Sequence, residues 1–391
     1  MTLSARFGGW VAVVVLTCVG AGQATASTSG SATEPKALHL YLWSSHSGAA
    51  PAVGSGPNQP SVSDFLAPDT LAKFEQATGI KVTVTNYASD EELGAQLAAG
   101  NTEYDLVLPS AQTAEAHIKA GYYRKLDKRL LPNLKNVDPQ IQARLALHDP
   151  GNEHLVTHMW GTFGVGYDVA KVKELVPEAP LESWSLLFDP HTAAKLRQCG
   201  LAFLGAPTEA YHVALAALGK NPNSQDPREL EAATRALLAI KPFLRSDFSA
   251  AEHLASGDLC VAVTYNLEVA KARRLAAANG SGRMIAYSIP KEGSLIWFDT
   301  YAIPKGAPHP RNAHTFINYM LRPEPAAAVT NALHTANAIE DAERLVDTTL
   351  RTDPAVYPGR RSLGRLTPDL GRTPQAMRII TAGWERLSRT Q

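Results

Sequence analysis

Trp43, Ser110, Glu209, Tyr265 and the run Trp297–Phe298–Asp299 hold comparable places in this chain of 391 residues: each lies at or near the end of a stretch that reads as a β-strand. In open α/β sheets, ligands bind beyond the carboxyl ends of the strands. The side chains at these places offer two kinds of chemistry, aromatic faces and carboxylates. Ring faces attract ammonium groups, and a carboxylate taken out of water stays ionised only beside a cation. Together they suit a small organic cation. Singly, each residue has a plainer reading: Trp43 as core, Asp299 as a turn or cap residue. It is their convergence on strand ends that points to a ligand.

Catalytic patterns are missing. The sequence has no Walker loop, no nucleophile-elbow serine and no HExxH. "GVGYDV" at Gly164 resembles half a dinucleotide fingerprint, but it lacks the third glycine and a following helix signal. His154 and His158 stand four apart. Their surroundings, "GNEHLVTHMW", read as a loop entering a strand, and no third ligand is evident, so they are taken as packed or solvated histidines. Tyr122 and Tyr123 read as one ring on the core and one facing water. The expectation is a binding protein, not an enzyme, with no cofactor and no metal.

The elements that must hold these residues alternate. Ala37–Trp43 reads as strand. Pro68–Thr78 reads as helix, with proline tolerated in its first turn and Gly79 ending it. Ile80–Tyr87 is strand again, and Ser89 to Glu92 form a capping-box pattern for a helix running to Gly100. Tyr104–Leu108 is a short strand, and Pro109-Ser110 opens another helix. Such a β-α-β-α order argues for a mostly parallel sheet with helices on its faces. The pattern restarts with strands at Thr162–Tyr167, Leu201–Leu204 and Leu259–Tyr265. Two β-rich runs then flank a turn at Glu292-Gly293, and the tail is helical at 313–321, 325–333 and 376–387. This order fits two α/β lobes with interleaved chain segments.

Arg6, the apolar Val11–Val19 and Ala24-Thr25-Ala26 read as a signal peptide over residues 1–26, leaving a chain that starts near Ser27. The context of Cys18, "LTC", lacks the small residue of a lipid-attachment site. About 365 residues remain, enough for two domains. Lys plus Arg equals Asp plus Glu over the whole chain, and a charge so balanced offers no field for nucleic acid or an anionic membrane. Two cysteines are left, Cys199 and Cys260; in an exported protein an even pair reads as a disulfide, with two buried thiols as the alternative.

Eleven stretches, taken in order, resemble the periplasmic polyamine-binding proteins of ABC transporters, above all their putrescine-binding branch. They include "LHLYLW", "APDTLAKFEQATGIKV", "YDLVLPSA", "HMWGTFGVGYDVAKV", "CGLAFLGAPTEA", "GDLCVAV", "SIPKEG", "WFDTYAIP" and "TANA". The resemblance implies a two-lobed, type II solute-receptor fold with the ligand in a cleft between lobes. It also implies a periplasmic monomer that hands a small cationic ligand to a membrane permease. Lobe 1 would comprise 27–158 and 284–322, and lobe 2 would comprise 159–283 and 323–391. Among family positions, Trp43 matches a wall tryptophan and Ser63 and Asp64 match the pair that contacts one ammonium. Phe65 matches an aromatic wall, Ser110 a polar lining residue, and Glu209 an acid facing the second ammonium. Asp299 matches the aspartate central to amine recognition, with Trp297 as its aromatic neighbour. The two cysteines match a disulfide of the second lobe.

Three departures accompany the resemblance. Residues 44–62 are inserted between Trp43 and "SD" at the rim of the cleft, as a lid, a block or a plain surface loop, so either Ser44 or Ser63 plays the family serine. The usual Trp and Asp of the second lobe become Tyr265 and Glu268. An aromatic expected before "ANA" is Thr335. These departures weaken the case for putrescine itself while the acids still favour a cation. An amino-acid ligand, which needs a cation in the cleft (His46 is one supplier), and a sensor protein in place of the permease are the competing readings.

Overall fold

The computed structural model describes residues 34–43, 65–100, 103–203, 205–245 and 249–389. The signal peptide, the 44–62 insertion, His46, Ser44, Ser63 and Asp64 lie outside them. Ten strands are formed: β1 Ala37–Trp43, β2 Lys81–Tyr87, β3 Leu106–Val107, β4 Leu155–Asp168, β5 Leu201–Phe203, β6 Leu244–Arg245, β7 Val261–Tyr265, β8 Ile285–Ser288, β9 Ser294–Ala302 and β10 Leu366–Thr367. Their order is β2-β1-β3-β9-β4-β7-β5-β6, with β8 beside β4 and β10 beside β9.

The sheet is mixed, not mostly parallel throughout. At its flanks, β1 runs parallel to β2 and β3, and β5 runs parallel to β6 and β7. These pairs are joined through helices, as parallel strands require. The middle is antiparallel. The amino-terminal half of β4 pairs with β9, from Leu155–Ala302 to Thr162–Ile296. Its carboxyl half pairs with β7, from Phe163–Tyr265 to Tyr167–Val261, and with β8. The two runs around Glu292-Gly293 therefore do not pair with each other; both lie against β4. "LVTHMW", read from sequence as a loop entering a strand, is already strand from Leu155.

Two hydrophobic bodies flank this crossing. One gathers Leu38–Leu42, Phe74, Leu106–Leu108, β4 up to Trp160, and β9 from Ile296. The other begins on β4 at Phe163 and takes in β5, β7 and Trp184. Trp297 packs against both. Residues 326–366 contribute Ala326, Val329, Ala336, Val356 and Leu366 to the first body. Ala376, Ile380 and Leu387 instead join the helices Pro207–Ala217 and Pro227–Ile240 in a smaller cluster. Packing is tight: Phe74 is fully buried and meets Phe316 edge-on at 5.0 Å, a burial that stabilises by about 2–3 kcal/mol.

Three helices of the first body position the site. Helix α1 (Thr70–Thr78) starts two residues later than its sequence signal, because Asp69 adopts φ 62°. It stops at Gly79, whose φ of 72° suits a residue without Cβ. Helix α2 (Asp90–Ala98) is capped by Ser89, which accepts from Glu92 N, while Glu92 reaches back to accept from Ala88 N at 2.8 Å. Helix α3 (Ala111–Lys119) is capped by Ser110, whose Oγ accepts from Thr113 N at 3.2 Å. Such caps contribute about 1 kcal/mol each. Cys199 and Cys260 form a disulfide, their Cα atoms 5.4 Å apart.

Candidate functional site

A cavity of about 380 Å³ is lined by residues of both bodies. From the first come Trp43 at the end of β1, Phe65, Tyr87 at the end of β2, Asp90 opening α2, Ser110 and Gln112 at the start of α3, and Asp299 on β9. From the second come Ala206 and Glu209 at the start of the helix Pro207–Ala217, Tyr265 at the end of β7 and Leu267 just after it. Trp297, His148 and Asp369 also line it, as do Leu108, Ala111, Leu295, Ile296 and Phe298. Trp43, Ser110, Glu209 and Tyr265 reach this space at or after strand ends, while Trp297 and Asp299 enter it from within the antiparallel strand β9, and Phe65 joins them.

The electrostatics of this space are one-sided. Its ionisable lining residues, tyrosines aside, are Asp90, Glu209, Asp299, Asp369 and His148. Asp299 has no hydrogen-bonding partner for its carboxylate among the described residues. Burial, and after it the charge of Asp90, push its pKa up to about 7. Ser110, bridged to Asp299 through the backbone, donates its hydroxyl to Thr113 Oγ1 at 3.0 Å, and Thr113 donates to Asp90 Oδ2 at 2.6 Å. The proton of Ser110 points away from the cavity, and an oxygen lone pair remains for an incoming N–H.

The second body supplies the other acids. Glu209 Oε2 accepts from Ala206 N at 2.6 Å and Oε1 accepts from the Tyr265 hydroxyl at 2.5 Å. These bonds fix the carboxylate in place. Burial raises its pKa all the same, with Asp369 adding to the rise. Asp369 is partnered: Arg372 Nη2 donates to it at 2.7 Å, with both side chains almost wholly buried. Against burial, His212 and Arg372 hold its pKa below the usual carboxylate range. Gln112 Nε2 donates to Asp369 at 2.7 Å and to Thr208 at 3.2 Å, tying α3 to the opposite helix. Arg372, engaged by Asp369, is not among the lining residues.

Aromatic surface covers the remainder. Trp43 meets Tyr87 edge-on at 5.5 Å, and Tyr265 meets Trp297 edge-on at 6.3 Å. The Trp297 ring rests against Gly161 of β4, where a Cβ would collide with it. Its buried Nε1 has no hydrogen-bonding partner among the described residues.

Two residues named from sequence are not in the cavity wall. Glu268 follows Tyr265 by three positions on the helix Asn266–Ala278, and its charge environment is set by burial, Lys271 and Glu252. It faces the neighbouring helix Ala250–Ser256, which packs along this one; Leu267 takes the cavity position. Thr335 is buried and bonds locally to Leu333 O at 3.4 Å. Sequence reading missed Asp90, Gln112, His148 and Asp369. Asp90 carried a signal but was absorbed by the capping-box pattern. His148 and Asp369 sit in irregular segments with no strand-end cue. His154 bonds Asp149 at 2.9 Å and the buried His158 bonds Phe65 O at 2.6 Å, so each imidazole already has a structural partner. Among the described residues no group of three or more His, Cys, Asp or Glu could hold a metal.

Comparison with known proteins agrees with this geometry. Residues 69–358 match the model of a family described as bacterial extracellular solute-binding protein. The putrescine-binding periplasmic protein SpuD of Pseudomonas aeruginosa is 38% identical over 387 residues, covering 98% of each chain. The putrescine-binding periplasmic protein PotF of Escherichia coli is 38% identical over 360 residues, covering 91% of this chain and 92% of its own. The crystal structure of the spermidine/putrescine ABC transporter substrate-binding protein PotD of Streptococcus pneumoniae superposes with a TM-score of 0.75. It covers 90% of this chain and 99% of that one at 24% identity, a likeness of fold. By the matched span and the full-length relatives, this chain belongs to the bacterial extracellular solute-binding protein family.

Proposed function

We propose that the protein captures a small aliphatic polyamine, putrescine or a close analogue, in this cavity and delivers it to an ABC permease in the periplasm. One observation carries the reading: the cavity pairs aromatic walls with four carboxylates and has no lysine or arginine among its described lining residues. The acids fall into two groups. Asp299 responds to the charge of Asp90, and Glu209 responds to that of Asp369. A molecule with a cation at each end of an aliphatic chain complements that arrangement. Charge-assisted hydrogen bonds from each ammonium would hold it, and Trp43, Phe65, Tyr265 and Trp297 would cover its methylenes. The names of SpuD and PotF support the same ligand and compartment.

The two hydrophobic bodies support a division into lobes that separate on β4 between Trp160 and Phe163 and on β9 near Ile296. Residues 326–366 then go with the first lobe, not the second. The reading takes the protein as a monomer. An amino acid is a poorer fit, since no lysine or arginine among the described lining residues would meet its carboxylate and four acids would repel it. Calorimetric titration of ligand-free protein tests the reading. Putrescine should bind in the micromolar range or tighter, and glutamate and γ-aminobutyrate should not. Binding of an amino acid with silence towards every diamine and triamine would overturn it.

A further inference from the structure

Asp90 caps nothing that requires a charge in the cavity, yet it lines the cavity beside Asp299. Its Oδ2 is held by the Thr113 hydroxyl at 2.6 Å, and Thr113 is in turn held by Ser110. Among the described residues, Oδ1 of Asp90 has no hydrogen-bonding partner, and neither has either oxygen of Asp299. The titratable groups that share the cavity lining with Asp299 are Asp90 from α2, Tyr87 on β2, Tyr265 on β7, Glu209, Asp369 and His148, and of these Asp90, Tyr87 and Tyr265 interact with its charge. Among the described residues, no lysine or arginine lines the cavity to relieve the two acids.

We propose that Asp90 is a ligand-recognition residue that, with Asp299, selects nitrogens bearing several N–H bonds and so favours primary ammonium groups over N-methylated ones. This rests on the reading of the cavity as an amine site. Aromatic walls alone attract any cation, quaternary ammonium included. Carboxylates held in a cavity need donors, and a ligand that brings methyl groups instead leaves them desolvated and unpaired. A primary ammonium has three N–H bonds. One reaches Asp299, one reaches Asp90, and the third meets Ser110 Oγ, whose own proton is committed to Thr113. A tertiary ammonium has one N–H and satisfies one of the three.

The test is calorimetry on the full chain with 1,4-diaminobutane and its N,N,N′,N′-tetramethyl derivative, for the wild type, Asp90→Asn, Asp90→Glu and Thr113→Val. The wild type should prefer the primary diamine by about 100-fold or more, as sites built around hydrogen bonds do. Asp90→Asn should lose about 10-fold for the primary diamine, the scale of one charge-assisted bond, and should narrow the ratio. Its affinity–pH midpoint should also move to lower pH, because Asp299 loses a neighbouring charge, a shift that a structural role would not produce. Asp90→Glu should recover part of the preference, and Thr113→Val, which frees Asp90, should narrow it. If Asp90→Asn fails to fold, the last two variants decide by the same ratio. An unchanged ratio in folded variants overturns the role of Asp90 while leaving the amine site standing. A wild type that binds neither diamine overturns the functional reading, and this one with it.

Discussion

Ligand binding should release a proton from Asp299. In the free protein this carboxyl titrates near pH 7, raised by burial and by Asp90, and it accepts no hydrogen bond from the described residues. An ammonium placed against it stabilises the ionised form, so its pKa falls in the complex. Binding then requires the ionised carboxylate. With a free-state pKa of about 7, the ionised fraction is about nine-tenths at pH 8 and about one-tenth at pH 6, so affinity should drop roughly tenfold, or ~1.4 kcal/mol, across that interval. The sign is fixed: affinity rises with pH until the ligand's own ammonium groups begin to lose protons. At about pH 7, roughly half a proton should leave per ligand bound. Titrations at one pH in buffers of different ionisation enthalpy measure that proton directly, and a series from pH 6 to 8 measures the slope. A dissociation constant flat over this range, with a binding enthalpy independent of buffer, would refute the argument that the buried acid is held unpaired for the ligand.

The same group predicts a stability effect. The unfolded Asp299 loses its proton near 3.8 and the folded one near 7, so between these values the unfolded state is the more ionised and stability falls as pH rises, by up to ~4 kcal/mol above pH 7. Asp299→Asn should therefore raise the thermal midpoint of the free protein by several degrees at pH 8 and little at pH 4, while abolishing stabilisation by diamine; equal shifts at both pH values would count against it. Reduction of Cys199–Cys260, which spans 61 residues, should lower unfolding stability by ~4 kcal/mol in the chain-entropy model, read as a lower urea midpoint with diamine binding intact below the transition. Gly161→Ala should displace Trp297 and Asn266, since the new methyl would overlap the ring of the first and Oδ1 of the second; diamine affinity should fall at least about tenfold if the ring covers the ligand, and an unaltered affinity would remove Trp297 from the wall.

The part of the fold that local rules govern was legible in the sequence. Gly79, Ser89 and Ser110 announced helix boundaries because caps act over one turn. The strand-end rule led to Trp43, Ser110, Glu209 and Tyr265 because parallel strands must deliver their carboxyl ends to a common edge, whereas Asp299 lies inside the antiparallel strand β9, which that rule does not cover. What stayed hidden depends on contacts distant in sequence. Nothing local indicates that β8 and β9 share β4 instead of pairing with each other, or that Asp369 approaches Glu209 from 160 residues away. Glu268 was misplaced by one helical step. Tyr265 takes the wall as the residue before the helix, and three residues further on the side chain has turned towards the next helix.

The site also shows why an unpaired acid is tolerated. Asp369 and Asp105 are satisfied where they stand, the first by Arg372 and Gln112, the second by backbone N–H groups at residues 39 and 309. Asp299 has no such partner among the described residues, although the sequence carries 37 Lys and Arg residues from which one could have been drawn. A lysine in the wall would stabilise the free protein and would occupy the place of the ligand. Around the Asp299 carboxylate β4 and β9 tie the scaffold together, with Trp297 packed on both bodies. Closing such a cavity around a cation removes the electrostatic penalty and buries aromatic surface in the same step. Capture and lobe closure should therefore be one transition, with the amine itself supplying the missing positive charge.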